Sequence, residues 1–128
     1  MPSRIQGLRL LLVEDEFVLA LGLTDTLGDL GAEVLGPVAT VGDAMALIES
    51  MPEIDAAILD VNLGTEVVYP VADALIARSV PFFFSTANAH VVLPPRFAHI
   101  GVCRKPFAAA EFRAALDGLD ADGMRRAG

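Results

Sequence analysis

Short apolar runs alternate with amphipathic stretches along the whole chain, and this alternation constrains the fold more than any other feature. The apolar runs cover 8–13, 32–38, 54–59, 80–85 and 100–104. Between them, apolar residues recur at helical spacing, as at Leu19, Leu23 and Leu27, and a last helix is predicted over 107–119. Five such strands separated by helices pack as a parallel sheet with helices on both faces. The sequence therefore predicts a doubly wound α/β fold.

Residues that start or stop helices mark the boundaries between these elements. Gly31 ends the first predicted helix, Thr40 caps the second, and Pro70 opens the third. The third helix is predicted to turn Ile76 inward together with its other apolar side chains. The segment 88–97 contains two adjacent prolines, which interrupt a regular helix. We therefore predict that the fourth helix is short or irregular.

Length, charge and cysteine content limit the classes of protein to which the chain can belong. Its 128 residues predict a single domain over 1–128, with a core at about 8–120, a polar tail at 121–128 and no separate output domain. A formal net charge of −8 argues against nucleic-acid binding, which needs a basic surface. No apolar run is long enough to span a membrane. The single cysteine, Cys103, predicts a protein of the reducing cytoplasm.

Polar side chains follow four of the five predicted strands at the point where each strand ends. Glu14 and Asp15 follow the first strand, and Asp60 ends the third. Thr86 follows the fourth strand, and Lys105, the only lysine in the chain, follows the fifth. Ligands of open parallel sheets bind at the carboxyl ends of the strands. These side chains therefore predict a functional site at one edge of the sheet.

The chemistry of these residues favours a magnesium site that accepts a phosphoryl group. Ionised carboxylates 4 Å apart repel by roughly 4 kcal/mol per pair at an effective dielectric of 20, so the cluster needs a cation. Oxygen ligands suit Mg²⁺, for which Asp15, Asp60 and the backbone carbonyl of Asn62 are the candidates. A carboxylate beside Mg²⁺ can attack phosphorus, and Asp60 follows the most buried strand. Lys105 would then neutralise phosphoryl oxygens, and the Thr86 hydroxyl would donate to them.

The chain resembles the receiver domains of bacterial two-component response regulators over about residues 8–120. Four motifs carry this resemblance, and each of them stands at the end of a predicted strand. They are Leu-Val-Glu-Asp-Glu at 12–16, Leu-Asp-Val-Asn-Leu-Gly at 59–64, Phe-Ser-Thr-Ala at 84–87 and Lys-Pro-Phe at 105–107. The resemblance implies a five-stranded flavodoxin-like sandwich with strand order 2-1-3-4-5.

The same resemblance assigns a role to each residue of the predicted site. It implies the phosphoacceptor Asp60, the Mg²⁺-holding pair Glu14 and Asp15, the metal-binding carbonyl of Asn62, the switch hydroxyl of Thr86 and the phosphoryl-binding Lys105. The phosphoryl donor would be a histidine kinase or a phosphotransfer protein. One departure concerns Val102, because many receivers carry a mobile aromatic residue at that position. Ordering of the loop Ala87–Pro94 when Thr86 moves toward the phosphoryl group is a hypothesis for how this chain signals instead.

Apolar residues cover more of the first helix than one buried face requires. Phe17, Val18 and Leu21 lie outside the stripe formed by Leu19 and Leu23. They could add core contacts, or they could form a surface on which the phosphodonor protein docks beside the acidic site. The sequence leaves both interpretations open.

Other functions remain open at this stage. A small Mg²⁺-dependent phosphohydrolase of the haloacid-dehalogenase type also uses an aspartate nucleophile. That class requires a second acidic residue at the position where this chain has Asn62. A nucleotide- or flavin-binding domain would need a glycine-rich loop after the first strand, which is absent. A receiver-like interaction module that is never phosphorylated is a further alternative. The output would pass through an unidentified protein or through a homodimer formed by the last strand and helix.

Overall fold

The computed structural model describes residues 5–88, 90–105, 114–115 and 117–118. The strands are β1 (Arg9–Val13), β2 (Glu33–Val38), β3 (Ala56–Asp60), β4 (Asn62–Leu63), β5 (Glu66–Val67), β6 (Phe82–Thr86) and β7 (Val102–Arg104). The helices are α1 (Phe17–Asp29), α2 (Val41–Ser50) and α3 (Tyr69–Ala77), and a 3₁₀ turn covers Pro95–Phe97. The predicted last helix falls largely outside the described residues, as does the predicted tail.

Five of the strands form one parallel sheet in the order β2-β1-β3-β6-β7. The remaining two, β4 and β5, form a separate antiparallel hairpin directly after β3. When the hairpin is left out of the numbering, the sheet has the predicted order 2-1-3-4-5. The predicted doubly wound fold is therefore confirmed, with β3 at its centre.

The two faces of the sheet carry two separate clusters of buried side chains. One face buries alternate residues such as Leu11, Leu59 and Phe84 beneath α2 and α3. The opposite face buries Leu10 and Ile58 against α1. All five residues of β3 are buried, as expected for a central strand covered on both sides. Among the described helices, none is both long enough and apolar enough to cross a bilayer.

The predicted helix boundaries are found within one or two residues of their expected positions. The Thr40 hydroxyl accepts a hydrogen bond from the Asp43 N–H at 3.1 Å, which satisfies one free donor at the start of α2. Gly31 has a φ of +90° after α1, a conformation that other residues rarely adopt. The inward placement of Ile76 was wrong, since that side chain is 44% exposed. The core face of α3 is instead supplied by Val71 and Leu75, which are fully buried.

The chain between β6 and β7 is irregular, as the two prolines predicted. Its one helical feature among the described residues is the 3₁₀ turn at Pro95–Phe97. The strand that follows is short and lies at the edge of the sheet, so Val102 is 39% exposed rather than buried. The fourth helix of the prediction is thus reduced to a single turn.

Candidate functional site

Backbone hydrogen bonds of the sheet bring the predicted site residues to one edge. The Glu14 N–H donates to the Val38 carbonyl at 2.9 Å, which holds the chain beyond β1 against β2. The Lys105 N–H donates to the Thr86 carbonyl at 2.7 Å, which extends the pairing of β6 and β7. Since all five strands are parallel, their carboxyl ends lie at one edge of the sheet, where Glu14, Asp15 and Lys105 lie near Asp60 at the end of central β3.

Lys105 lies between two carboxylates. Its ammonium nitrogen is 2.7 Å from Glu14 Oε1 and 3.0 Å from Asp60 Oδ2. The side chains are 11% exposed for Lys105, 1% for Glu14 and 7% for Asp60. These charges are therefore largely withdrawn from water, where each depends on the others for compensation.

Two opposing effects set the protonation of this cluster. Burial and the neighbouring Glu14 together raise the pKa of Asp60 from 3.8 to about 7, although Lys105 acts in the opposite direction. Burial by itself would lower the pKa of Lys105, but its contacts with Glu14 and Asp60 outweigh burial and raise that pKa. Lys105 is therefore a permanent cation, and Asp60 binds a proton readily when no other cation is near.

The acidic side chains are close enough to share one divalent cation. Glu14, Asp15 and Asp60 each offer a carboxylate oxygen, and these oxygens all lie within 4.8 Å of one another. Glu14 Oε1 is buried and accepts no hydrogen bond of good geometry, so it depends on cationic charge for its stabilisation. An all-oxygen donor set with one exposed member, Asp15, suits Mg²⁺, which keeps part of its water shell. The residues present therefore fit the predicted ion.

A cleft of about 530 Å³ opens over this cluster. The predicted residues that line it are Asp15, Asp60, Asn62 and Lys105. The wall of the cleft also includes Ala87 and Asn88, which begin the predicted signalling loop, and Glu16, to which no role was assigned from the sequence. Glu16 follows the end of β1 by three residues, so extending the search past that strand would have found it.

Two residues of the predicted acidic site, Glu14 and Thr86, do not line the cleft, and Thr86 takes no part in the ion pairs of Lys105. It is fully buried, and its hydroxyl oxygen accepts a hydrogen bond from the Asn88 N–H at 3.0 Å. The hydroxyl thus belongs to a local turn at the end of β6. Because a hydroxyl can donate while it accepts, its proton remains available for a second hydrogen bond.

The apolar residues singled out on α1 form an exposed surface. Phe17 is 74% exposed, Val18 is 79% exposed and Leu21 is 48% exposed. The helix buries Leu23 and Leu27 instead, so these three side chains add little to the core. The exposed surface begins three residues after Glu14 and therefore lies beside the acidic edge.

Comparison with solved structures identifies the family. The solution structure of SdrG from Sphingomonas melonis Fr1 is 39% identical to this chain, with a TM-score of 0.75, over 92% of this chain and 97% of SdrG. The chain belongs to the receiver domains of response regulators. The resemblance inferred from the four motifs is thus confirmed.

Two further structures support this assignment. The BeF3-activated conformation of SdrG from Pseudomonas melonis Fr1 is 42% identical to this receiver, with a TM-score of 0.74, over 93% of this chain and 98% of that one. The non-phosphorylated HemR receiver domain from Leptospira biflexa is 28% identical, with a TM-score of 0.73, over 89% and 94% of the two chains. No protein-family model and no curated protein sequence matches this receiver.

Proposed function

We propose that this receiver takes a phosphoryl group on Asp60 from a phosphohistidine, in a reaction that depends on Mg²⁺. The observation that carries the proposal is the contact of Asp60 with Lys105 inside an acidic cluster that opens to a cleft. The transfer would form a bond from an Asp60 carboxylate oxygen to phosphorus and break the phosphorus–nitrogen bond of the donor. The donor imidazole would leave with the electron pair of that bond and take up a proton.

This chain's residues would divide the chemistry among them. Asp60 must be ionised to attack phosphorus, and Lys105 favours the ionised form because it stands 3.0 Å away. Asp15, Glu14, Asp60 and the Asn62 carbonyl would hold Mg²⁺. The bound ion would offset the negative charge of the carboxylates and of the phosphoryl oxygens.

After transfer, the Lys105 ammonium is placed to pair with an oxygen of the phosphoryl group on Asp60. The Thr86 hydroxyl would then donate its proton to a second phosphoryl oxygen, and the loop after it would order around the new contact. Support for a changed conformation comes from SdrG, which has a BeF3-activated conformation. Beryllofluoride stands in for a phosphoryl group on a carboxylate. The altered chain around Asn88 would be what an output partner recognises.

The test is incubation of the receiver with Mg²⁺ and acetyl phosphate, followed by intact mass measurement. We expect a gain of one phosphoryl group that EDTA prevents. Asp60→Asn, which keeps the shape of the side chain, should show no gain. A chain that stays unmodified with Mg²⁺ present, or an Asp60→Asn variant modified as fully as the wild type, would refute the proposal.

We further propose that Phe17, Val18 and Leu21 form the surface on which the histidine kinase or phosphotransfer protein docks. Their exposure beside the acidic edge supports this, because the donor imidazole must come within bonding distance of Asp60. Val18→Asp or Leu21→Asp should slow transfer from the cognate donor protein by tenfold or more, as expected for a charge placed in an apolar contact.

Two controls separate docking from chemistry. Acetyl phosphate is too small to use the α1 surface, so both α1 variants should react with it at the wild-type rate. Ile76→Asp places the same charge on an apolar residue of similar exposure, 44% against 48% for Leu21, toward the far end of α3. Equal rates from the donor protein for Leu21→Asp and wild type would remove the docking proposal.

A further inference from the structure

The hairpin that follows β3 forms one wall of the acidic site. Its two strands pair Asn62 with Val67 and Leu63 with Glu66. The Val68 N–H closes its base on the Val61 carbonyl at 3.0 Å. Leu63 is buried in the core, whereas Glu66 and Val67 on the other strand are exposed. The strand Asn62–Leu63 is therefore fixed by the burial of Leu63. The outer strand Glu66–Val67 is exposed and gains little from packing against the core.

This hairpin touches the site at two points. The Asn62 N–H lies 3.3 Å from Asp60 Oδ1, at hydrogen-bond distance. At the turn, Gly64 has a φ of +67°, and a methyl group built on it would stand 3.9 Å from Asp15 Oδ2. A side chain at this turn position would therefore contact the one exposed carboxylate of the cluster, which places the turn next to Asp15. A shift of the hairpin would move the surroundings of both Asp15 and Asp60.

Glu66 connects the outer strand of the hairpin to α2. Its Oε1 atom accepts a hydrogen bond from the Val41 N–H at 3.3 Å. Val41 is the first residue of α2, so this N–H has no partner within the helix. The negative carboxylate also lies at the positive end of the helix dipole. Thr40 satisfies the Asp43 N–H, so Glu66 and Thr40 cap different donors of the same turn.

We propose that Glu66 is a positioning residue for the acidic site, which it serves by tying the hairpin to α2. It touches neither Asp60 nor the cleft, and it acts through the backbone that carries Asn62 and Gly64. This inference rests on the proposed Mg²⁺-dependent phosphoryl acceptance. Loss of the Glu66–Val41 bond would let the hairpin tilt, and the Asn62 backbone, whose N–H lies 3.3 Å from Asp60 Oδ1, would then lose its fixed place.

The test compares Glu66→Ala with Glu66→Gln, which keeps an acceptor oxygen at the same reach. Glu49→Ala removes one exposed acid from α2 and controls for net charge. Mg²⁺ affinity is measured by isothermal titration at fixed ionic strength. We expect Glu66→Ala to weaken Mg²⁺ binding about three- to tenfold, the range that one hydrogen bond supplies. Glu66→Gln and Glu49→Ala should stay within twofold of wild type.

A second measurement on the metal-free protein keeps this test apart from the proposed function. Amide hydrogen exchange at Asn62 and Val41 should speed up in Glu66→Ala, and exchange within β3 should not change. If the wild type binds no Mg²⁺, the proposed function fails, while faster exchange at Asn62 would still show the positioning effect. Exchange and Mg²⁺ affinity equal to those of Glu49→Ala would overturn the role of Glu66.

Discussion

The acidic cluster and the chain between β6 and β7 meet at the same edge of the sheet, but different forces hold them. Glu14 and Asp60 are buried and share the ammonium of Lys105 at 2.7 and 3.0 Å. The start of the loop after Thr86 is held by short-range hydrogen bonds, such as those from the Asn88 N–H to the Thr86 hydroxyl and from the His90 N–H to Asn88 Oδ1, and Val92 within it is 87% exposed. The cluster is thus a fixed group of buried charges, and the start of the adjacent loop is the part that can change conformation at lower cost.

The far end of that loop is nevertheless anchored in the core. Phe97 is fully buried, with its ring 5.4 Å from the ring of Tyr69 and 5.5 Å from that of Phe84. The neighbouring Arg96 stacks on Phe97 and makes a two-point ion pair with Asp73 on α3, at 3.0 and 3.1 Å. The loop is therefore fixed at its end and loosely held at its start, where Thr86 lies. A signal from the cluster would act on the loose start.

The largest effect is expected at the anchor of the loop, which is the buried ring of Phe97. Phe97→Ala should lower the free energy of unfolding by about 3–5 kcal/mol, because it removes a buried ring from the core. Val92→Ala, in the loosely held part of the same loop, should change it by less than about 0.5 kcal/mol. Urea denaturation of both variants measures the difference. Equal values would mean that the loop is held uniformly.

At the acidic cluster, Asp60→Asn should stabilise the metal-free protein. The raised pKa of Asp60, about 7 against 3.8, means that the folded protein keeps a proton which the unfolded chain releases. Stability therefore falls as pH rises from 3.8 to about 7, and asparagine removes that loss. We expect the free energy of unfolding to rise by about 1–2 kcal/mol at pH 8. This is less than the full pKa shift would give, because water in the cleft screens the charges. The rise should be smaller at pH 5.

Urea denaturation in EDTA across that pH range measures the effect of Asp60→Asn. Asn62→Ala, at an exposed position in the same cleft, is the matched control, and its difference in stability from the wild type should be the same at pH 5 and pH 8. A variant less stable than wild type at pH 8 would show that the contact of Asp60 with Lys105 outweighs the repulsion from Glu14.

The loose end of the loop should respond to activation. With Mg²⁺ and beryllofluoride bound, amide exchange over 88–94 is expected to slow by about tenfold, as Thr86 turns toward the phosphoryl mimic and the loop orders. Exchange within β3 should stay the same, since that strand is already buried. Thr86→Ala should abolish the slowing. Unchanged exchange in the wild type would place the response elsewhere in the domain.

The smallest effect is expected from the ion pair at the anchor. Arg96 and Asp73 are about half exposed, so their coupling should be about 0.2–1 kcal/mol. A double-mutant cycle with Arg96→Ala and Asp73→Ala gives this value directly. A coupling near zero would leave Phe97 as the main anchor. A coupling above about 2 kcal/mol would instead make the ion pair a major part of it.

Particular residues show how far the sequence could predict the structure. The alternation of apolar runs with helices predicted five strands in a parallel sheet, because each run must be buried. The order of the strands came from the resemblance carried by the four motifs. The prediction for Ile76 failed, since helical spacing allows several residues near the edge of a buried face and packing selects among them. Phe97 stood in the segment predicted to be irregular, and nothing local indicated that its ring would enter the core.

The sequence by itself determined which chemical groups stand at the strand ends, since strand boundaries follow from local apolar runs. The four motifs and the parallel sheet were enough to bring Glu14, Asp60 and Lys105 to one edge. Only the tertiary structure decided that Glu66 reaches α2 and that the Phe97 ring packs between Tyr69 and Phe84. Those contacts depend on the relative placement of elements distant in sequence, which the packing of the whole core fixes and no local pattern encodes.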